Sequence, residues 1–279
     1  MSKTILVLGG TGKTGNRVIE RLKKLNLPIR IGSRNATPQF DWEDQASWAT
    51  ALKDISKVYI TFQPDLAVPG ALETIKAFVS QATIAGVQKL VLLSGRGEKE
   101  ALECEQIVIK SGLDWTIVRA SWFMQNFSEN YLLDSILAGY VALPTNGVLE
   151  PFVDADDIAD VAVASLTSDK HSEKIYELTG PHLLTFEQAI KEISQAANLA
   201  IQYQEVSMEE YISMLKQYQV PEGFIWLLKY LFTEVLDGRN AHLSYGVEEA
   251  LGRKPTNFSD YVKKVAATGI WSIAPSVEK

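Results

Sequence analysis

Gly9, Gly10, Gly12 and Gly15 lie between a β-branched apolar run, Thr4-Ile5-Leu6-Val7-Leu8, and a helical pattern that puts Val18, Leu22 and Leu25 on one face. The chemistry this spacing suits is the holding of a pyrophosphate. Glycines at 10, 12 and 15 fit G-x-G-x-x-G, and those at 9, 12 and 15 fit the variant G-x-x-G-x-x-G. Either arrangement lets the backbone approach phosphates at a helix N-terminus, where free N–H groups and the helix dipole favour an anion. A side chain at the turn would hold the phosphates off. Gly9, Thr11, Gly12, Lys13, Thr14 and Gly15 are therefore the candidate phosphate-binding residues. Lys13 either adds positive charge to that site or faces water. Gly12-Lys13-Thr14 also suggests the phosphate loop of nucleoside triphosphatases, but that pattern needs glycine where this chain has Val7, inside the strand. A glycine turn that serves only strand-to-helix packing is the bland competitor.

The next strand, at Pro28 to Ile31, runs out into Gly32-Ser33-Arg34. An acidic residue about twenty positions past the glycines reads a ribose 2′-hydroxyl, whereas an arginine accommodates a 2′-phosphate. Ser33 and Arg34 stand at that place, so the expected cofactor is NADP(H) rather than NAD(H). Phe62 and Gln63, after the strand Lys57 to Thr61, are candidates to flank the adenosine or ribose, because open α/β sheets place ligands at the carboxyl ends of their strands. Ser94, ending the strand Lys89 to Leu93, either reaches a nicotinamide or substrate carbonyl or caps local backbone. Trp122, Phe123 and Asn126, within Ala120 to Phe127, have the aromatic and amide character of an apolar pocket with a few polar anchors; for Phe123 and Met124 plain core packing is the alternative.

These residues need a frame, and the chain alternates strand and helix through Arg119. That rhythm is the signature of an α/β, doubly wound parallel sheet with helices on both faces. Gln39 to Trp42 is a candidate third strand, and Ser47 to Leu52 a short helix. Further on, Leu72, Ile75, Val79, Ala82 and Gly86 mark a long helix, and Glu98 to Lys110 another. Asn146-Gly147 between Tyr140–Leu143 and Val148–Val153 is a two-residue hairpin signal, with Pro144 and Pro151 confining both strands to edges. Asp154, Asp156 and Asp157 precede a helical pattern and are expected to complement its dipole. After the strand Ile175 to Thr179 comes a helix bearing Phe186, Ala189, Ile190 and Ile193; beyond residue 200 the pattern is mainly helical, and Trp226 and Tyr230 stand off its apolar stripe, where they line a pocket or an oligomer contact. The expected division is a cofactor-binding part over residues 1–150. Residues 151–279 are expected to return partly to the sheet and to form a smaller, mainly helical substrate-binding part.

Composition narrows the classes of partner. The 279 residues carry a formal charge of -7, which argues against broad binding to nucleic acid or anionic membranes. No apolar run approaches a membrane span and the N-terminus lacks a secretory signal's apolar core, so the expected location is cytoplasmic and no membrane partner is expected. A single cysteine, Cys104, suits a reducing compartment and reads as a small buried side chain. His171, His182 and His242 have no metal-ligand spacing, and no metal is expected.

Several stretches resemble the NmrA-like group of atypical short-chain dehydrogenase/reductases. They are Gly9 to Gly15, Gly32-Ser33-Arg34, Leu92-Leu93-Ser94, Ser111 to Arg119, Phe123-Met124-Gln125-Asn126, Asp156-Asp157-Ile158-Ala159, Tyr176 to Pro181, Phe258 to Tyr261 and Thr268 to Trp271. The resemblance implies a Rossmann fold binding NADP(H), with a smaller C-terminal part over a substrate cleft. The group includes reductases of quinones and of fungal alkaloid iminium compounds, and also redox sensors. The Tyr-x-x-x-Lys pair usual in short-chain dehydrogenases is missing: no tyrosine occurs between Ser94 and Arg119. Alcohol–carbonyl interconversion thereby loses its acid/base group, and sugar-nucleotide epimerisation with it. Hydride transfer to a quinone or iminium depends less on such a group. Two functions follow as expectations: an NADPH-dependent oxidoreductase of an apolar conjugated acceptor such as a quinone, or a non-catalytic NADP(H) sensor working through a protein partner. A small-molecule substrate and either a homodimer or a protein partner are the expected companions.

Overall fold

The strand before the glycines, β1 (Thr4–Leu8), is apolar on both faces, and Ile5 to Leu8 are all buried. Such a run suits the interior of a parallel sheet covered on both sides. In the computed structural model, which describes residues 4–129 and 131–272, β1 pairs in parallel with β2 (Ile29–Gly32) and with β3 (Ile55–Ile60). Beyond β3 follow β4 (Lys89–Gly95), β5 (Asp114–Ala120) and β7 (Lys174–Leu178), giving a six-stranded parallel sheet of order β2-β1-β3-β4-β5-β7. The helices α2 (Ala46–Leu52), α3 (Ala71–Ile84) and α4 (Lys99–Ile109) cover one face through Trp48, Phe78, Cys104 and their neighbours. On the other face α1 (Lys13–Lys24) packs against α6 (Ala155–Thr167). This is the doubly wound α/β arrangement of a Rossmann fold.

Gln39 to Trp42 does not become a strand. Phe40 and Trp42 turn inward instead, with ring centroids 4.9 Å apart, and Trp42 also meets Phe62 at 4.9 Å and Phe78 at 5.2 Å. The Trp42 indole donates to the Thr61 carbonyl at 3.2 Å. Burying three aromatic faces outweighs a short edge ladder. The acids at the start of α6 are in its first turn as expected, but they bind arginines. Asp156 pairs with Arg21 at 2.9 Å and Arg17 at 3.4 Å, Asp157 with Arg253 at 2.7 Å, and Asp160 with both Arg21 and Arg253.

The chain divides into two compact units, and the single boundary at residue 150 is not where they part. The first unit comprises Met1–Ser121, Ala155–Thr179 and Ser244–Lys254, and the second Trp122–Asp154, Gly180–Leu243 and Pro255–Lys279. The physical reason is that β7 and α6 are needed to complete the sheet and cover it, so the chain re-enters the first unit after leaving it. The segment with α10 (Gly246–Leu251) returns as well: Gly246 lies directly on the Glu177 backbone of β7, where a Cβ would not fit.

Within the second unit, α5 (Leu132–Leu137), α7 (Phe186–Ala197), α8 (Met208–Gln217), α9 (Glu222–Tyr230) and α11 (Phe258–Ala266) surround an aromatic core of Phe127, Phe152, Phe186 and Phe258. The hairpin expected at Asn146-Gly147 is absent, although the turn itself forms: both residues have positive φ and Val148 N–H closes it on the Thr145 carbonyl at 3.0 Å. Val148 to Val153 then leaves for other partners, with Glu150 bridging Leu184 and Val153 bridging Phe123. The strand before the turn, β6 (Tyr140–Leu143), pairs in parallel with β8 (Gln202–Glu205). Glu205 fixes the turn by accepting from Asn146 N–H at 2.6 Å and from Thr145 Oγ1 at 2.9 Å. Among the described residues no helix is long and apolar enough to cross a membrane.

Gly15 approaches Gly9 backbone to backbone. A Cβ on Gly15 would overlap the Gly9 carbonyl and stand 3.0 Å from the Gly10 Cα. Gly15→Ala should therefore lift α1 off β1 and destabilise the protein by about 1–3 kcal/mol, read as a lower midpoint in urea denaturation. An unchanged midpoint would mean the helix is free to shift.

Candidate functional site

Gly9 adopts φ +61°, a conformation that disfavours a side chain, and the Gly12 N–H closes the turn on its carbonyl at 2.8 Å. Gly12 is the extended N-cap of α1, with no side-chain cap and no acid in the first helical turn. The first N–H groups of α1 are thus left without a capping side chain, which is how a helix N-terminus accepts an anion. Thr11 is exposed beside them. Gln63 borders the same loop: a Cβ on Gly12 would sit 3.5 Å from its Nε2. Thr14 is buried near the Tyr59 phenol, whose hydroxyl makes no well-formed hydrogen bond and whose burial pushes its proton affinity up. Thr14 therefore has its side chain turned into the protein. A Cβ at Gly12 would crowd the Gly9 carbonyl at 3.2 Å beside Gln63, while the bare Gly15 lets α1 pack directly on the turn.

At the end of β2, Ser33 is half-buried and its carbonyl accepts from Ala36 at 3.2 Å and Phe40 at 3.0 Å, turning the loop back. Arg34 projects from that loop, exposed, and makes no hydrogen bond or ion pair with any described residue. The other arginine of β2 differs: Arg30 donates to the carbonyls of Ala51 at 2.8 Å and Lys53 at 2.6 Å. Phe62 packs on Trp42, which fixes the strand end that carries Gln63.

Ser94 is placed differently from a hydroxyl held open for a ligand. Its Oγ donates to Glu105 Oε1 of α4 at 2.6 Å, within a buried polar network. Glu105 is 1% exposed and is clasped by Arg119 of β5, Nε at 2.9 Å on one oxygen and the terminal nitrogen at 2.5 Å on the other. Those bonds hold the Arg119 guanidinium above its ordinary value. Arg119 also lies 3.5 Å from Glu177 of β7, which accepts from Arg96 at 2.7 Å. Three adjacent strands are thus tied at one edge by two arginines and two glutamates. Cys104, one turn inside α4, is fully buried, and burial together with Glu103 and Glu105 pushes its thiol up to about 12.

The sequence reading missed three polar groups at this edge. Glu98 folds back over Gly95 and meets Asp65. Ser121, following β5, is buried with its hydroxyl unpartnered. Neither Asp65, Glu98 nor Ser121 belongs to a motif, and only the register of β4 against β5, with Gly95 opposite Ala120, shows that they occupy one edge.

Trp122, Phe123 and Asn126 belong to the second unit. Trp122 stands edge-on to Phe186 at 5.3 Å and tilted on Phe232 at 5.2 Å. Phe123 bridges Val153 through its backbone, and its carbonyl accepts from Asn126 N–H at 3.0 Å. A cavity of about 390 Å³ in the same unit is lined by Pro144, Val148, Met208, Phe232 and Leu236, with Asn146 and Asp237 among its polar groups. Trp122 thus backs the Phe232 wall of that cavity. Trp226 and Tyr230 stack on each other at 5.6 Å, and Trp226 is exposed. Among the described residues no group of three His, Cys, Asp or Glu side chains is placed to hold a metal ion.

A parallel sheet whose glycine turn opens onto a helix N-terminus defines a nucleotide-binding α/β protein of the Rossmann type. The chain belongs to the NmrA-like family, which it matches over residues 1–263. It is 29% identical over 284 residues to agroclavine dehydrogenase of Claviceps fusiformis, covering 93% of this chain and 96% of that one. With the NAD(P)H azoreductase of Xenophilus azovorans it shares 27% identity over 284 residues, 94% of this chain and 98% of the other. Among solved structures it is similar to the NADPH-dependent quinone oxidoreductase QOR2 of Escherichia coli complexed with NADPH, at a TM-score of 0.79 and 21% identity, covering 94% of this chain and 99% of that chain.

Two outcomes follow from the buried network. Arg119→Leu leaves the Glu105 carboxylate buried without its counter-charge and should destabilise the protein by about 3–5 kcal/mol in urea denaturation. Cys104 should resist a thiol reagent at neutral pH until denaturant is added, because the thiolate is the reactive form; rapid labelling of the folded protein would contradict its burial.

Proposed function

We propose that this protein is an NADPH-dependent reductase whose acceptor is an apolar conjugated molecule such as a quinone. The observation that carries the cofactor half is the uncapped glycine cradle of α1 with Arg34 standing uncommitted beyond β2. In this reading the N–H groups from Gly9 to Gly15 receive the pyrophosphate, with Lys13 beside them at the first position of α1. Ser33 and Arg34 receive the 2′-phosphate, and Phe62 and Gln63 border the adenosine ribose. Ser94, through Glu105, sets the edge of β4. When bound, the cofactor supplies a hydride. The names of the relatives support the reductase reading, since one is an NAD(P)H azoreductase and another an agroclavine dehydrogenase. The absence of tyrosine between Ser94 and Arg119 supports it as well, because such acceptors need less help from a phenol. Trp122, Phe123 and Asn126 are the acceptor contacts of this reading.

Consumption of NADPH measured across quinones, enones and imines tests the proposal, with turnover expected for the apolar quinones. Tight NADPH binding with no turnover of any acceptor would leave a binding protein in place of an enzyme. For the cofactor, Arg34→Ala should weaken NADPH by about tenfold or more while leaving NADH nearly unchanged, the loss expected for one charge-assisted contact. Equal losses for both would remove Arg34 from the 2′-phosphate.

A further inference from the structure

Reduction of a quinone by hydride needs one proton per turnover, and the first unit offers no tyrosine between Ser94 and Arg119 to give it. Its sheet edge does hold a carboxyl pair. Glu98 is the N-cap of α4 and only 7% exposed, yet its side chain does not cap the helix. Instead the carboxyl lies back over Gly95, the last residue of β4, in the space a Cβ there would occupy. Its partner is Asp65, from the segment after β3, with which it is hydrogen-bonded. Asp65 in turn accepts from the Ala67 N–H at 2.8 Å through one oxygen, which anchors its carboxyl. Two carboxyl groups in hydrogen-bond contact hold a proton between them, because a second negative charge at that separation is costly.

The surroundings keep that proton in place. Burial first, then the charge and hydrogen bond of Asp65, then Glu100 and Glu105 of α4, hold Glu98 protonated well above the usual carboxylate range. The buried Cys104 thiol on the same helix adds no positive charge. Arg96, the next residue after Gly95, is committed to Glu177, and Arg119 to Glu105. The pair is also near the cofactor cradle in the chain: Asp65 is two residues past Gln63, which borders Gly12. At the same edge the Ser121 hydroxyl is buried without a partner, so the edge has a polar group still to be satisfied.

We propose that Asp65 and Glu98 hold one proton between them at the carboxyl edge of the first unit's sheet and that this proton accompanies the hydride to the acceptor. The proposal rests on the NADPH reading above. In the balanced step the acceptor gains one hydride and one proton and is reduced by two electrons to the hydroquinone. The reduced cofactor loses the hydride and gains a positive charge, while the pair goes from one negative charge to two. Positive charge at the oxidised nicotinamide favours this loss, as an opposite charge favours an ionised carboxylate. Solvent then reprotonates the pair through Asp65, the more exposed of the two.

A proton inventory on binding tests this without turnover. The full chain is titrated with NADP⁺ and with NADPH near pH 7 in two buffers of different ionisation heat, and the difference gives the protons released. NADP⁺ should release up to about one proton more than NADPH, and Glu98→Gln should abolish the excess while still binding both forms. Asp65→Asn, at the more exposed member, should abolish it too and guards against a misfolded Glu98 variant. Equal release for the two forms, or an excess that survives in both variants, overturns the proposal while the cofactor reading stands. Failure of the wild-type protein to bind either form overturns both.

Discussion

The first unit depends on how closely one helix approaches one strand. Gly15 of α1 lies against Gly9 and Gly10 at a distance no side chain tolerates, and this contact aims the start of the helix at the mouth of the glycine turn. An anion site made of backbone N–H groups has no side chain to adjust it. Its position is therefore that of the helix itself, and the helix is set by packing: Val18, Ile19 and Leu22 are buried, and α6 is bound to the outer face of α1 through Arg17 and Arg21. The aspartates at the start of α6 thus complement more than a helix dipole. They link the two helices that cover this face of the sheet.

A second constraint is the handling of buried acid. Glu105 is tolerable in the interior because Arg119 meets it with two bonds and Ser94 with a third. Glu98 has no such partner and faces Asp65, and burial together with that acid raises its proton affinity well above the usual carboxylate range. Two nearby glutamates, the N-cap residue of α4 and one within it, are in this way given different partners. The contrast follows the general rule that buried charge is paired or neutralised.

The second unit shows local signals overruled by packing. Asn146-Gly147 forms its turn, since both residues accept positive φ, but a turn does not choose the strand that follows it. Pro151 and the buried Phe152 carry that segment to Leu184 and Phe123 instead. The polar run Gln202–Glu205 becomes the strand that pairs with Tyr140–Leu143, held by Tyr140, Tyr203 and Glu205 through side-chain hydrogen bonds. Nothing in its composition suggests a strand, because its pairing energy comes from partners distant in the chain. Gln39 to Trp42 is the converse, where a plausible edge strand gives way to an aromatic cluster with Phe62 and Phe78.

Much of the first unit was legible in advance. The strand–glycine–helix order, the alternation that makes the sheet parallel, and the place of Arg34 just past β2 all follow from short-range patterns whose physics is local: periodicity, glycine conformation and helix capping. Ser94 was legible as a strand-end hydroxyl, but its partner Glu105 was not. The sequence by itself therefore determined the kind of fold and the glycine turn that opens α1. Only the tertiary structure decided where the chain re-enters the first unit, which strands neighbour each other, and that Asp65, Glu98 and Ser121 share an edge. Those relations join residues far apart in sequence, and they are settled by burial and charge pairing that no local window contains.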